Sequence, residues 1–402
     1  MQNKTPRILI LGGGFAGIYT ALEFEKVLAH GFDAEVILVS SQDHFLFTPM
    51  LHEVVSGDLR DDNITIPIRK ILKNIRFVHA DVLSVDLVKQ FLKINNGELF
   101  YDYVILALGA VPNFFEMDHV AQKALPMKKA GDAVKIRAQI EACFKKASVE
   151  SDEDTQKKLL TFVVAGGGFT GVETIGAISD FAQRMLKVYS SISSDLIKIC
   201  LIHPGSEIVP EMSSKMGLYA KKNFEKRNIK IKLQASVVDF SEQGVCLNDG
   251  EIIFAETMVW AAGNKASPVV ESLDLPKEKG RIIVDEYFQV KGFPSVWAIG
   301  DCAFVPDKKR GGSHPPTAQH AVREAKAMAQ NLIATIKEKP KKIFYFDTLG
   351  QIANIGGRRG IATVLGFDVT GILAWILWHI VYLLKLPTSG KKIKVLGRWI
   401  FH

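Results

Sequence analysis

At 402 residues, with 48% hydrophobic side chains, the chain is long enough for two or three domains with real cores and is not a disordered segment. The net charge of +7 sits in one place: residues 341–402 hold nine basic and two acidic side chains, leaving 41 of each sign elsewhere, which suits an anionic membrane surface and, with no nucleic-acid-binding motif, excludes nucleic acid as the expected partner. The four scattered cysteines, Cys143, Cys200, Cys246 and Cys302, form no CxxC pair, so a disulfide framework, a metal site and a dithiol couple are not expected, and a reduced cytoplasmic setting fits.

Residues 7–11 read as a buried strand that runs into Gly12-Gly13-Gly14-Phe15-Ala16-Gly17 and a helix over about 15–30. In this G-x-G-x-x-G spacing the first glycine allows a tight turn, the second lets backbone approach a phosphate, and the third lets helix and strand pack closely. Residues 34–39 are the second strand. A dinucleotide site usually offers an acid at its end to bind ribose; here Ser40 and Ser41 stand there, with Asp43 beyond, and the Ser40 hydroxyl can make one such bond. Residues 44–57 form an aromatic, proline-containing loop before a short helix. Residues 75–86 and 91–94 alternate like a meander, broken by the turn Asn95-Asn96-Gly97, and 101–109 is a strand closed by Gly109. The chain then crosses into another domain near Pro112-Asn113.

Residues 128–158 read as helical, and 160–187 repeat the opening phrase with Gly166-Gly167-Gly168-Phe169-Thr170-Gly171 and Glu173 in the next helical turn. A strand at 196–202 ends in the turn His203-Pro204-Gly205. An acid at the His203 position commonly selects NADH; without it, repulsion of a 2′-phosphate is lost and NADPH use becomes an alternative, against the plain reading of a surface turn histidine. A helix at about 213–228, a strand at 229–234 and a strand over 257–263 closed by Gly263 complete the second set, and strands at 280–285 and 295–301 return to the first. The run 371–386 is apolar nearly all round but shorter than the roughly 20 residues that span a bilayer. Trp375, Trp378 and Tyr382 fall at helical spacing in it, and Lys391, Lys392, Lys394 and Arg398 follow. An element lying in the membrane interface is expected, with a buried core helix as the alternative. The fold class is therefore α/β: two Rossmann-like dinucleotide-binding domains, one inserted in the other, plus a C-terminal membrane-associating region.

Four features coincide: the two glycine units, two strands ending in Ala-x-Gly (Ala107-Leu108-Gly109 and Ala261-Ala262-Gly263), the late Ile299-Gly300-Asp301, and Pro315-Pro-Thr-Ala-Gln-His-Ala321. Together with Phe47-Thr-Pro-Met-Leu51 they resemble the two-dinucleotide-binding flavoproteins and, among them, the type II NADH:quinone oxidoreductases. The resemblance implies a discontinuous FAD-binding domain (1–113 and 264–340), an NADH-binding domain (114–263) and a membrane-associating region (341–402). It implies FAD on Gly12, Gly13, Gly14, Phe15, Ala16, Gly17, Ser40, Val82, Gly109, Asp301 and Ala318, with Asp301 on the ribityl chain and a backbone bond to adenine from the strand at Val82. NADH is implied on Gly166, Gly168, Phe169, Thr170, Gly171, Glu173, His203 and Gly263, and quinone beside Ala318 and Gln319. Arg323 stands where the family often has a second glutamine.

Besides His203, Asp301 has a plainer reading as a helix cap, Glu173 as a carboxylate favoured by a helix N-terminus, and Gln319 as an ordinary residue at a helix N-terminus. The functional reading makes Glu173 the catalytic candidate, guiding charge or proton movement. The implied activity is non-proton-pumping transfer of two electrons from NADH by way of FAD to a membrane quinone. The implied protein is a homodimer, peripheral on an anionic lipid surface at the cytoplasmic face of the cell membrane. The alternatives are a sulfide:quinone oxidoreductase, a soluble FAD-dependent NAD(P)H reductase of an electron-carrier protein, and an NADH-binding redox-sensing protein.

Overall fold

Four consecutive apolar side chains, Ile8 to Leu11, are buried to the last atom, which a strand achieves only when both faces of its sheet are covered. In the computed structural model, which describes residues 5–401, Arg7–Leu11 is an inner strand of a six-stranded sheet. The sheet order is Gln289–Val290, Phe293–Ala298, Tyr103–Leu106, Arg7–Leu11, Glu35–Ser40, Arg76–His79, parallel throughout except for the first pair. Helices Phe15–Leu28 and Ala318–Ile336 pack together in this unit. The antiparallel meander Val82–Asp86, Phe91–Ile94, Gly97–Phe100 also belongs to it.

A second, five-stranded parallel sheet runs Leu125–Pro126, Thr257–Trp260, Thr161–Ala165, Lys198–His203, Ile229–Leu233. Its last four strands repeat the order of 103–106, 7–11, 35–40 and 76–79 in the first sheet, so the duplication of the glycine phrase is a duplication of topology. The stretch 128–158 forms two helices, Ala130–Ala147 and Glu153–Leu159, with Asp152 capping the second through Thr155 N–H. A three-stranded antiparallel sheet, Gly350–Asn354, Gly360–Val364, Phe367–Gly371, carries helix Ile372–Lys385, and helix Ser389–Phe401 follows.

By contacts the chain divides into a first unit of residues 1–46, 66–111 and 264–348 and a second of 47–65, 112–263 and 349–402; residues 1–4 and 402 of these ranges lie outside the described residues. Segments 47–65 and 349–402 thus group with the middle of the chain. The apolar side chains of helix Leu51–Ser56 give the reason for 47–65, because that helix is buried against helices Ala130–Ala147 and Phe169–Val188.

Candidate functional site

The two glycine turns have the same geometry, one in each unit. Gly12 has φ +114° and Gly166 φ +113°, and a Cβ at either would lie 2.2 or 2.3 Å from a carbonyl oxygen, that of Ala107 or Ala261. A Cβ on Gly17 or Gly171 would lie 1.8 or 1.7 Å from the carbonyl oxygen of Gly12 or Gly166. No other residue fits at these positions without moving backbone. Gly14 and Gly168 cap the following helices in extended conformation without a side-chain bond, and neither helix has an acid in its first turn. Each turn therefore leaves helix N-terminal N–H groups, and their positive dipole end, for an anion. The space in front of Gly14 is open, whereas the Glu211 carboxylate lies 3.1 Å from where a Cβ on Gly168 would be.

Around the first turn, Phe15 meets Phe45 edge to face at 5.0 Å and Ala16 is buried. Ser40 is buried beside Gly13, its Oγ accepting from Gln42 N–H at 3.1 Å. Val82 begins the meander, and Gly109 follows the strand Tyr103–Leu106 with φ +63°. Asp301 lies in the short turn Gly300–Cys302, where Gly300 N–H donates to the buried Glu324 Oε2 at 2.8 Å. Arg281 faces both Asp301 and Glu324, and burial lifts the Glu324 carboxyl to about 7. Ala318 and Gln319 open helix Ala318–Ile336, whose cap Thr317 accepts from His320 N–H. Arg323 is exposed, with its guanidinium 5.6 Å from the centre of the Phe346 ring.

In the second unit Phe169 and Thr170 open the helix after the turn, and Gly263 (φ +147°) accepts from Asn113 N–H. His203 packs under the turn: its Nδ1 accepts from Gly167 N–H at 3.1 Å, and its ring blocks any side chain at Gly167 or Gly205. An accepting Nδ1 is unprotonated, and burial lowers the ring further below its ordinary pKa, so His203 is a neutral imidazole.

Glu173 is held in a cluster that its motif does not announce. Its Oε1 accepts from Asn354 backbone N–H (3.1 Å) and Trp378 Nε1–H (3.2 Å), while Oε2 lies 3.5 Å from His52 Nδ1. The other ring nitrogen, His52 Nε2, is 3.8 Å from Glu53 Oε1 and has no hydrogen-bond partner. Glu53 in turn accepts from Asn354 Nδ2–H (3.1 Å) and Trp399 Nε1–H (2.9 Å). Burial raises both carboxyls to about 8, so both carry a proton at neutral pH, and it depresses His52 to about 3, leaving that ring neutral. Tyr382 is raised by the same burial and then by Glu173.

Sequence reasoning passed over His52, Glu53, Asn354, Trp399 and Glu324. One signal was there: His52-Glu53 interrupts the apolar run Met50 to Val55, and a charged pair inside such a run is a buried charge in waiting. Trp378, expected at a membrane interface, is instead fully buried and bonded to Glu173. Cys143, Cys200 and Cys302 are buried, and burial raises their thiols, Cys302 to about 12, which leaves them without thiolate character.

The sequence model of the pyridine nucleotide-disulphide oxidoreductase family matches residues 6–325. A type II NADH:quinone oxidoreductase of Mycobacterium tuberculosis is 31% identical over 98% of this chain and 86% of its own length. A probable NADH dehydrogenase of Dictyostelium discoideum is 30% identical, covering 99% and 89%. Among solved structures, NDH2 from Plasmodium falciparum in complex with NADH has the same fold, with a TM-score of 0.92 at 22% identity over 99% of this chain and 98% of that one.

Proposed function

Because the chain belongs to the pyridine nucleotide-disulphide oxidoreductase family and, within it, to the type II NADH:quinone oxidoreductases, we propose that its first unit holds FAD and its second holds NADH. The enzyme passes two electrons from NADH by way of FAD to a quinone. When bound, FAD supplies the two-electron chemistry that links a hydride donor to a quinone. The chain's own contribution is binding, orientation and protons.

The observation that carries this reading is the pair of matching, uncapped helix N-termini, one for each dinucleotide. In the proposal Gly12, Gly13, Gly14, Phe15, Ala16 and Gly17 receive the FAD pyrophosphate, with Ser40, Val82, Gly109, Asp301 and Ala318 along the rest of the cofactor. Arg281 and Glu324 hold Asp301 and its turn in place. Gly166, Gly168, Phe169, Thr170 and Gly171 receive NADH, with His203 and Gly263 beside it, and quinone binds at Ala318 and Gln319. A neutral His203 offers no charge to a 2′-phosphate, so the same reading favours NADH over NADPH. The balanced reaction joins NADH, one proton and quinone to give NAD+ and quinol, and Glu173 is the group that holds that proton.

The reading extends to the membrane. Ile372, Leu373, Ile376, Ile380 and Leu384 form an exposed apolar stripe on helix Ile372–Lys385, and Ile393, Leu396 and Ile400 form another on the next helix, with Lys385, Lys391, Lys392 and Lys394 among them. Among the described residues no helix is long and apolar enough to cross a membrane. This arrangement supports peripheral association with an anionic lipid surface; the cytoplasmic face, the absence of proton pumping and a homodimer are parts of the same proposal, the last to be decided by the molar mass in solution. Anaerobic NADH should bleach the flavin absorbance of the purified protein, and a quinone should restore it. Bleaching that quinone does not reverse would overturn the proposal.

A further inference from the structure

We infer that Glu53, His52 and Glu173 form a proton path within the second unit, in which Glu53 replaces the proton that Glu173 gives up in turnover. The inference rests on the proposed role of Glu173 and adds two residues that act through it.

Geometry carries the argument. The His52 imidazole stands between the two carboxyls, 3.5 Å from Glu173 Oε2 and 3.8 Å from Glu53 Oε1, so a shift of under about 1 Å brings each into hydrogen-bond range. Two N–H donors occupy Glu173 Oε1, which leaves its proton on Oε2, the oxygen that faces the ring. His52 Nε2 is buried and unpartnered, a cost a purely structural histidine would avoid. Asn354 donates to both carboxyls and fixes their spacing. Asp58, half-exposed, adds to burial in raising the Glu53 carboxyl and places a solvent-touching group next to it.

The step balances without any other reactant. As the Glu53 O–H proton passes to His52 Nε2, the His52 Nδ1–H proton passes to the Glu173 carboxylate. Glu53 ends ionised, Glu173 ends protonated, and the ring ends as its other neutral tautomer. Glu53 takes a proton from solvent, and the first tautomer returns as the ring gains a solvent proton at Nδ1 and gives the one on Nε2 back to solvent. No electron moves in these transfers, and the solvent proton that Glu53 takes is the one the overall reaction consumes. The titratable and charged groups around the cluster are Asp58 and Asp180, which act on Glu53 and are paired with Arg184 and Arg227, His379, which acts on His52, Tyr382, which feels Glu173, and Arg137, which lies beside Gly57.

Stopped-flow absorbance of His52→Phe, Glu53→Gln and Glu173→Gln, each a full-length flavin-loaded protein of native unfolding temperature, tests the path. Phenylalanine keeps the edge-to-face contact of residue 52 with Trp378 and removes a buried unpartnered nitrogen, so a structural role predicts no loss. The path predicts that H52F and E53Q bleach with NADH within about twofold of the wild type. Their reoxidation by a soluble quinone should fall about tenfold per pH unit from pH 6 to 9, where the wild type stays level to about pH 8. Infrared spectra at pH 7 should also lose one protonated-carboxyl band in E53Q and another in E173Q. Wild-type reoxidation in H52F and E53Q alongside slow E173Q overturns the path and leaves the Glu173 role standing. Wild-type reoxidation in E173Q overturns that role itself, and an infrared band unchanged in E53Q overturns the part given to Glu53.

Discussion

Asn354 serves two carboxyls at once, its backbone N–H bonding Glu173 and its side-chain N–H bonding Glu53. Asn354→Ala removes only the second bond, and with it the Gly356 N–H acceptor. A loss of about 1–3 kcal/mol in a denaturant titration is expected, with Glu53 driven further toward its protonated form. Glu53, Glu173 and Glu324 all share one linkage. Each is raised by burial, to about 8, about 8 and about 7, above an ordinary 4.5. A group raised in the folded state contributes fully below its unfolded value and loses that contribution as pH climbs through the folded value. The unfolding temperature should therefore fall between about pH 5 and pH 8, and Glu173→Gln with Glu324→Gln should flatten that decline; a slope unchanged in the double variant would show these carboxyls to be ionised. The glycine turns separate the two cofactors. Gly12→Ala should yield protein without flavin absorbance, whereas Gly166→Ala should retain flavin and lose more than about tenfold in kcat/KM for NADH, because each added Cβ meets a backbone carbonyl.

At the level of elements, helix Ile372–Lys385 has two faces with separate tasks. Ala374 and Trp378 point into the unit, while Leu373 and Ile380 point to solvent. Removing the whole tail would break the Glu173 cluster along with any lipid contact, so Leu373→Glu with Ile380→Glu is the cleaner change. Sedimentation with anionic vesicles should be lost in that variant, with quinone reduction in detergent retained. This double role also explains what sequence could and could not reveal. The parallel strands and both turns were legible because continuous apolar runs and fixed glycine spacing are local signals. Trp378 was not, since a tryptophan beside lysines reads the same whether it faces lipid or donates to a buried carboxyl. The sheet Gly350–Asn354, Gly360–Val364, Phe367–Gly371 had no expectation at all, its strands being short and its first and last carrying polar residues. Glu53 depends on Asn354 and Trp399, some 300 or more positions away, and no local pattern encodes such a partnership.

For the molecule as a whole, the charge balance has a measurable side. With all the excess positive charge in residues 341–402, attraction to anionic vesicles should weaken as salt rises from about 0.05 to 0.5 M, while flavin retention stays constant. Binding insensitive to salt would assign the association to the apolar stripes alone. The interleaving of the two units has another consequence, for biosynthesis. Glu53 emerges from the ribosome early, but the indole that bonds it, on Trp399, lies 346 residues later. The first unit likewise waits for residues 264–348 to complete its sheet. The first unit cannot close before residue 348 and the second not before its last helices, so most of the chain is made before either has its final core. A nascent chain halted before residue 349 should stay sensitive to protease throughout the second unit, and release of the last helices should be the event that makes it resistant.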